Sequence, residues 1–168
     1  MTAENERSRL TATFARMARW PGGRWLFARI VCWRAPYFGT IAPRFKALEP
    51  ARCEITISDR RRVRNHLGTV HAIALCNLAE LAGGMMMEAG TPRGMRWIPK
   101  GMTVEYLKKA RGTMRAVATP AAAIEVRDSG YEVPVGVEVR DPDDTPVFRA
   151  RIAMWVSPRA ARHAVPAT

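Results

Sequence analysis

Between Val70 and Glu88 the chain runs VHAIALCNLAELAGGMMME, apolar around nearly its whole circumference. Its length and its lack of Pro make it a helix, and a helix hydrophobic on all sides needs cover on nearly all sides. The flanking sequence supplies candidates. Upstream, Ile55 and Ile57 alternate with Glu54, Thr56 and Ser58 as a strand requires. Downstream, strands are expected at about 97–107, 113–119, 124–126 continuing into 133–140, and 147–156. The turn signal DPDDTP joins the last two. In the final strand Phe148, Ala150, Ile152 and Met154 alternate with Arg149 and Arg151, giving one buried and one wet face. One strand, one long helix and a run of strands imply an α+β fold in which a curved antiparallel sheet wraps the helix. Thr69 is the expected N-cap of that helix.

The segment before this unit has a different character. Leu10, Phe14 and Met17 recur at helical spacing, Pro21-Gly22-Gly23 interrupts, and a second helix is expected from Trp25 until Pro36. The organisation read from the sequence is an N-terminal helical extension over 1–45, a main domain over 46–158 and a C-terminal tail over 159–168. The extension carries Trp20, Trp25, Phe27 and Trp33 among arginines, and capping the sheet or a tunnel is favoured for it over touching a membrane.

With 168 residues the chain is long enough for one domain with a real core. There is no unbroken apolar run of membrane-spanning length and no apolar stretch in MTAENERSRL, so neither a transmembrane segment nor export is expected, and the expected location is cytoplasmic. Cys32, Cys53 and Cys76 are odd in number and far apart, which reads as reduced packing thiols rather than a disulfide frame or zinc site. No metal site is expected; Asp141, Asp143 and Asp144 read as a solvated turn. The net charge of +12 favours polyanionic partners: nucleic acid, anionic lipid or a phosphorylated small molecule. No basic surface interleaved with aromatics and no nucleic-acid motif accompanies the charge, so a nucleic-acid partner is disfavoured.

The offsets Asn65, Gly68, His71 and Glu80, within NHLGTVHAIALCNLAE, resemble the signature of hot-dog fold acyl-CoA thioesterases. VEYLKKARG, Val104 to Gly112, resembles the strand and turn that follow in those enzymes. With PYFGTI and RWIPKGMTVEYLKKARG, the whole chain is similar to a hot-dog family of unknown function, related to the phenylacetate-pathway type acyl-CoA thioesterases. Two departures stand out: Ala72 occupies the position of a customary Gly, and the acid is Glu rather than Asp. A Ser or Thr that relatives place on the next strand has no clean equivalent among Pro99, Lys100 and Thr103.

The resemblance implies a homodimer, or a tetramer built from it, with composite active sites. Spacing agrees: Ala72 and Glu80 are eight residues apart, about 12 Å along a helix, so one thioester carbon cannot meet both on the same helix. If two helices pair antiparallel about a twofold axis, the start of one meets the middle of the other. In that reading Glu80 is general base or nucleophile, the Ala72 N–H is the oxyanion donor, Asn65 positions the carbonyl or water, and His71 orders the loop or contacts the thioester region rather than serving as base. Gly68 is implied as a substrate-binding position, while Lys108, Lys109 and Arg111 could meet coenzyme A phosphates or simply face solvent. Coenzyme A belongs to the substrate; no separate cofactor is implied. The rival reading is a non-catalytic acyl-CoA or fatty-acid binding protein of the same fold, and acyl carrier protein stays open as the alternative carrier.

Overall fold

The computed structural model describes residues 9–159. Two helices open it, α1 (Arg9–Ala18) and α2 (Gly23–Arg34), followed by a 3-10 turn over Pro36–Ile41. Then come strands β1 (Arg44–Glu49) and β2 (Arg52–Ile57), the long helix α3 (Ala72–Gly90), and strands β3 (Met95–Tyr106), β4 (Met114–Pro120), β5 (Tyr131–Arg140) and β6 (Pro146–Pro158). The C-terminal tail expected at 159–168 lies, apart from Arg159, outside the described residues.

The strands form one six-stranded sheet in the order β1-β2-β4-β5-β6-β3, antiparallel at every neighbour. Helix α3 touches all six strands. The mixed α+β layout expected from the sequence, an antiparallel sheet with one long helix against it, is therefore what forms. By length and composition α3 could cross a membrane, but its apolar window is 61% buried inside the protein. Leu75, Leu78, Leu81, Ala82, Met86 and Met87 on α3 join Ile55, Ile57, Met114, Val135 and Ile152 of the sheet in one buried cluster. At roughly 1.5–3 kcal/mol for each fully buried large aliphatic side chain, this cluster is the main source of stability. Gly83 lets the helix sit close, since a Cβ there would lie 2.8 Å from the Ile152 Cδ1.

Helices α1 and α2 pack on the opposite end of the sheet order, over β1. Three rings fix them there: Phe14 meets Phe27 edge-on at 5.1 Å, and Phe27 meets Phe45 of β1 edge-on at 5.1 Å. Of the four aromatics expected to cap the sheet or a tunnel, only Phe27 turns inward. Trp20, Trp25 and Trp33 stand in solvent.

Three elements differ from the sequence reading. Strand β1 was not foreseen: a register shift between Phe45 and Ala47 breaks its alternation, so Phe45 and Leu48 are buried three apart, a helical rather than a strand spacing. No strand forms at 124–126. There the Tyr131 hydroxyl accepts from the Glu125 N–H and donates to the Glu125 carbonyl, both at 2.7 Å, closing a loop instead. Finally, α3 begins at Ala72 with His71, not Thr69, as its N-cap.

Candidate active site

The loop leading into α3 is built by Asn65. Its Oδ1 accepts from the N–H groups of Leu67 (3.0 Å) and Thr69 (3.1 Å), while its Nδ2 donates to Thr69 Oγ1 at 2.9 Å. Thr69 is buried and already engaged, which is why it does not cap the helix. Gly68 closes the turn with φ +71°, a left-handed conformation that disfavours any residue with a Cβ. Its N–H donates to the Asn65 carbonyl at 3.1 Å.

His71 then caps α3. Its Nδ1 accepts from the Ile73 N–H at 3.0 Å, so that nitrogen is the unprotonated one and the ring is held at the helix start. Its own N–H donates to the Val63 carbonyl at 2.7 Å, and its carbonyl accepts from Leu75 N–H at 3.2 Å. Of the first three helical N–H groups, which have no acceptor within the helix, Ile73 is satisfied by His71, and the half-buried Ala72 has no hydrogen-bond acceptor among the described residues. The helix dipole adds partial positive charge at the same place.

The turn carrying Lys108, Lys109 and Arg111 docks on this loop. The Ala110 carbonyl accepts from Val70 N–H at 2.8 Å, and Ala110 is buried, while the three basic side chains are exposed. Asp59 ties the two together: its carboxylate accepts from Arg64 Nε at 2.6 Å and from the Gly112 N–H at 3.0 Å. The Arg64 hydrogen bond holds the Asp59 carboxyl below the usual range; burial opposes this, and the Gly112 N–H and the charges of Arg64 and Arg111 reinforce it. The fold therefore gathers Asn65, Gly68, His71, Ala72, Lys108, Lys109 and Arg111 at the N-terminal end of α3. Most of that end is neutral or basic.

Glu80 lies elsewhere, two turns along α3. It is exposed, forms no ion pair or hydrogen bond among the described residues, and borders a cavity of about 1030 Å³. The cavity walls come from α1 (Leu10, Thr13, Met17), α2 (Ile30, Val31), α3 (Leu81, Met85) and β3 (Trp97). Two α3 carboxylates thus border a largely apolar cavity, Glu88 held by the Trp97 indole and Glu80 with no partner among the described residues. Within one chain the site is split, with the helix start on one side and the acid on the other.

Several residues without a motif of their own shape this region. Trp97 donates from Nε1 to Glu88 at 3.1 Å and packs its ring on Gly84, where a Cβ would come within 3.2 Å, so the indole floors the cavity. Asn77, 5% exposed, donates to Thr40 Oγ1 at 3.2 Å while its Oδ1 has no hydrogen-bond partner. Its place one turn before Glu80 in an apolar helix was the available signal. Of the Met run, Met86 and Met87 fill the core and Met85 lines the cavity.

A family model described as a domain of unknown function, DUF4442, matches residues 23–156. The chain is a DUF4442 protein. The matched span includes α2, so the helical layer belongs in part to the family's own domain. The DUF4442 chain is also similar to a solved structure known as genomics APC5556, at 44% identity over 90% of this chain and 100% of that one, with a TM-score of 0.77. A thioesterase from Haemophilus influenzae is similar at 17% identity over 76% of this chain and 86% of that one, TM-score 0.64. A thioesterase of Staphylococcus aureus, solved as a point variant, is similar at 15% identity over 73% and 99%, TM-score 0.63. At those identities the two thioesterases share the fold with this DUF4442 protein. No curated protein matches the sequence.

Proposed function

We propose that this DUF4442 protein is a hot-dog thioesterase that hydrolyses acyl-CoA, with coenzyme A as the leaving group, at sites shared by the two chains of a homodimer. One observation carries the reading: Glu80 is an unpaired carboxylate at the wall of an apolar cavity large enough for an acyl chain. The relation to phenylacetate-pathway type enzymes rests on the Asn65, Gly68, His71 and Glu80 offsets. Dimerisation is supported by the exposed, unpaired edge of β3 and by the exposed apolar side chains Leu67, Ile73, Ile98 and Tyr106 around the α3 start and β3. Two such faces joined about a twofold axis would bring Ala72 of one protomer toward Glu80 of the other.

In that assembly the thioester carbonyl oxygen accepts from the Ala72 N–H at the helix start, where developing negative charge is favoured. Glu80 takes a proton from water as the water oxygen attacks the carbonyl carbon. The C–S bond then breaks, the thiolate recovers the proton from Glu80, and a carboxylic acid leaves with free coenzyme A. Direct attack by Glu80, giving a mixed anhydride that water opens, uses the same carboxylate. Asn65 holds the loop in register; its Oδ1 and one of its two Nδ2 hydrogens are already committed to Leu67 and Thr69. Lys108, Lys109 and Arg111 flank the helix start and would meet the phosphates of coenzyme A.

The commitment of Asn65 favours the alternative, an acyl-CoA or fatty-acid binder with no turnover. Thiol release from a panel of acyl-CoA substrates separates the two. Hydrolysis by the native protein, with Glu80→Gln lowering kcat about 10²–10⁴-fold at an unchanged oligomeric state, supports the enzyme. Tight binding without thiol release from any substrate establishes the binder.

A further inference from the structure

We infer that the α1–α2 layer is a docking surface for an anionic lipid bilayer. Helix α2 buries Phe27 and Ala28 on one side, yet its other side is also apolar. Trp25 (65% exposed), Leu26, Ile30 and Trp33 (79%) point outward, with Arg29 among them, and Trp20 (71%) precedes the helix. At 100° per residue, positions 25, 26, 29, 30 and 33 fall within roughly 140° of the helix circumference, a continuous face. A soluble surface rarely exposes three tryptophans on one short segment.

Charge identifies the occupant. Arg9, Arg16, Arg19, Arg24, Arg29 and Arg34 all lie on α1, α2 or their link, all are exposed, and no Asp or Glu occurs from position 9 to 48. Arg29 already rests near the Trp25 ring, 6.0 Å from its centroid. Tryptophan sits at the level of lipid headgroups, arginine reaches phosphates while its methylenes stay apolar, and leucine and isoleucine enter the acyl boundary. Clustered arginines without acids match an anionic leaflet. A second copy of the chain fits poorly, because a twofold contact would set arginines against arginines. Ile30 and Arg34 belong both to this exposed surface and to the cavity wall, so docking would place one rim of the cavity at the headgroups. The docking itself is independent of the thioesterase reading.

Vesicle co-sedimentation of the full chain tests it, using phosphatidylglycerol–phosphatidylcholine vesicles against phosphatidylcholine alone, with tryptophan quenching by brominated lipid as a second readout. Binding only to the anionic vesicles is expected, with quenching, and with a loss of at least about tenfold in Trp25→Ala/Trp33→Ala and in Arg24→Glu/Arg29→Glu. Both variants alter exposed side chains, and unchanged circular dichroism certifies their fold. The inference is overturned if phosphatidylglycerol vesicles are not bound at low salt, or if the tryptophan variant binds like the native protein. It is equally overturned if that variant changes the oligomeric state in vesicle-free sedimentation, because a second copy then covers the face, or if duplex DNA competes for the face through the same tryptophans.

Discussion

Helices α3 and α2 are both apolar on more than one side, but their surroundings are opposite. The sheet closes around α3, leaving Leu78, Ala79, Met86 and Met87 without solvent contact, while α2 is covered on one side and carries Trp25, Leu26, Ile30 and Trp33 into water. An apolar helix alone therefore does not define a core; what covers it does. In α3 hydrophobicity is spent on the fold, and of its two exposed acids at the cavity, Glu80 and Glu88, the one without a partner among the described residues, Glu80, becomes the functional question. In α2 the uncovered apolar face is itself the feature that needs a partner.

The largest effect should separate these helices directly. Leu78→Ala should cost about 2–5 kcal/mol through lost burial and a residual cavity, whereas Trp33→Ala should stay within about 0.5 kcal/mol despite removing a larger side chain. Urea denaturation reads both, and similar losses at the two positions would mean that α2 is as enclosed as α3. Next comes the tether at the α3 start. Asn65→Ala should destabilise by about 1–3 kcal/mol, since the N–H groups of Leu67 and Thr69 lose their acceptor, whereas Asn65→Asp, which retains an acceptor oxygen, should cost less. An Asn65→Ala protein with native stability and no turnover would instead assign the amide to substrate.

A smaller effect, because Arg64 is exposed and its attraction is screened by solvent, concerns Asp59. Its carboxyl is held below the ordinary value chiefly by Arg64. A depressed folded pKa stabilises the protein above the unfolded value, near about 3.9, and that contribution disappears as pH falls through the folded value. Stability of the native protein should therefore fall between about pH 5 and 3 more steeply than that of Asp59→Asn, as measured by thermal melts. Parallel curves would remove Asp59 as a clasp.

Much of this was readable in the sequence. The all-round apolarity of 70–88 called for a sheet against the helix, which all six strands supply, and the alternation in 147–156 marked β6. Strand β1 escaped because its irregular pairing spaces Phe45 and Leu48 like helix positions. The helix start shifted because a histidine ring nitrogen can cap as well as the usual Ser, Thr, Asp or Asn, while the Thr69 hydroxyl was occupied by Asn65. A tunnel capped by the N-terminal helices was one of two expectations, but the cavity's walls were not legible. The cavity lies between α1–α2 and α3–β3, and such tertiary contact leaves no local pattern. That the three tryptophans face outward was hidden for the same reason: either side of α2 is apolar, so periodicity could not choose which one the sheet would take.

The central claim is that Ala72 and Glu80 act on one thioester from different chains. Ala72→Pro removes the N–H at the first helical position, where Pro is tolerated, and His71 already has the extended conformation that precedes Pro. Ala72→Pro and Glu80→Gln should each be inactive in acyl-CoA hydrolysis. When the two are unfolded together and refolded as a mixture, random pairing makes half the dimers mixed, and each mixed dimer has one intact composite site. About a quarter of native activity should return. A mixture as inactive as its components, with mixed dimers demonstrated by native mass spectrometry, would contradict a site shared between chains.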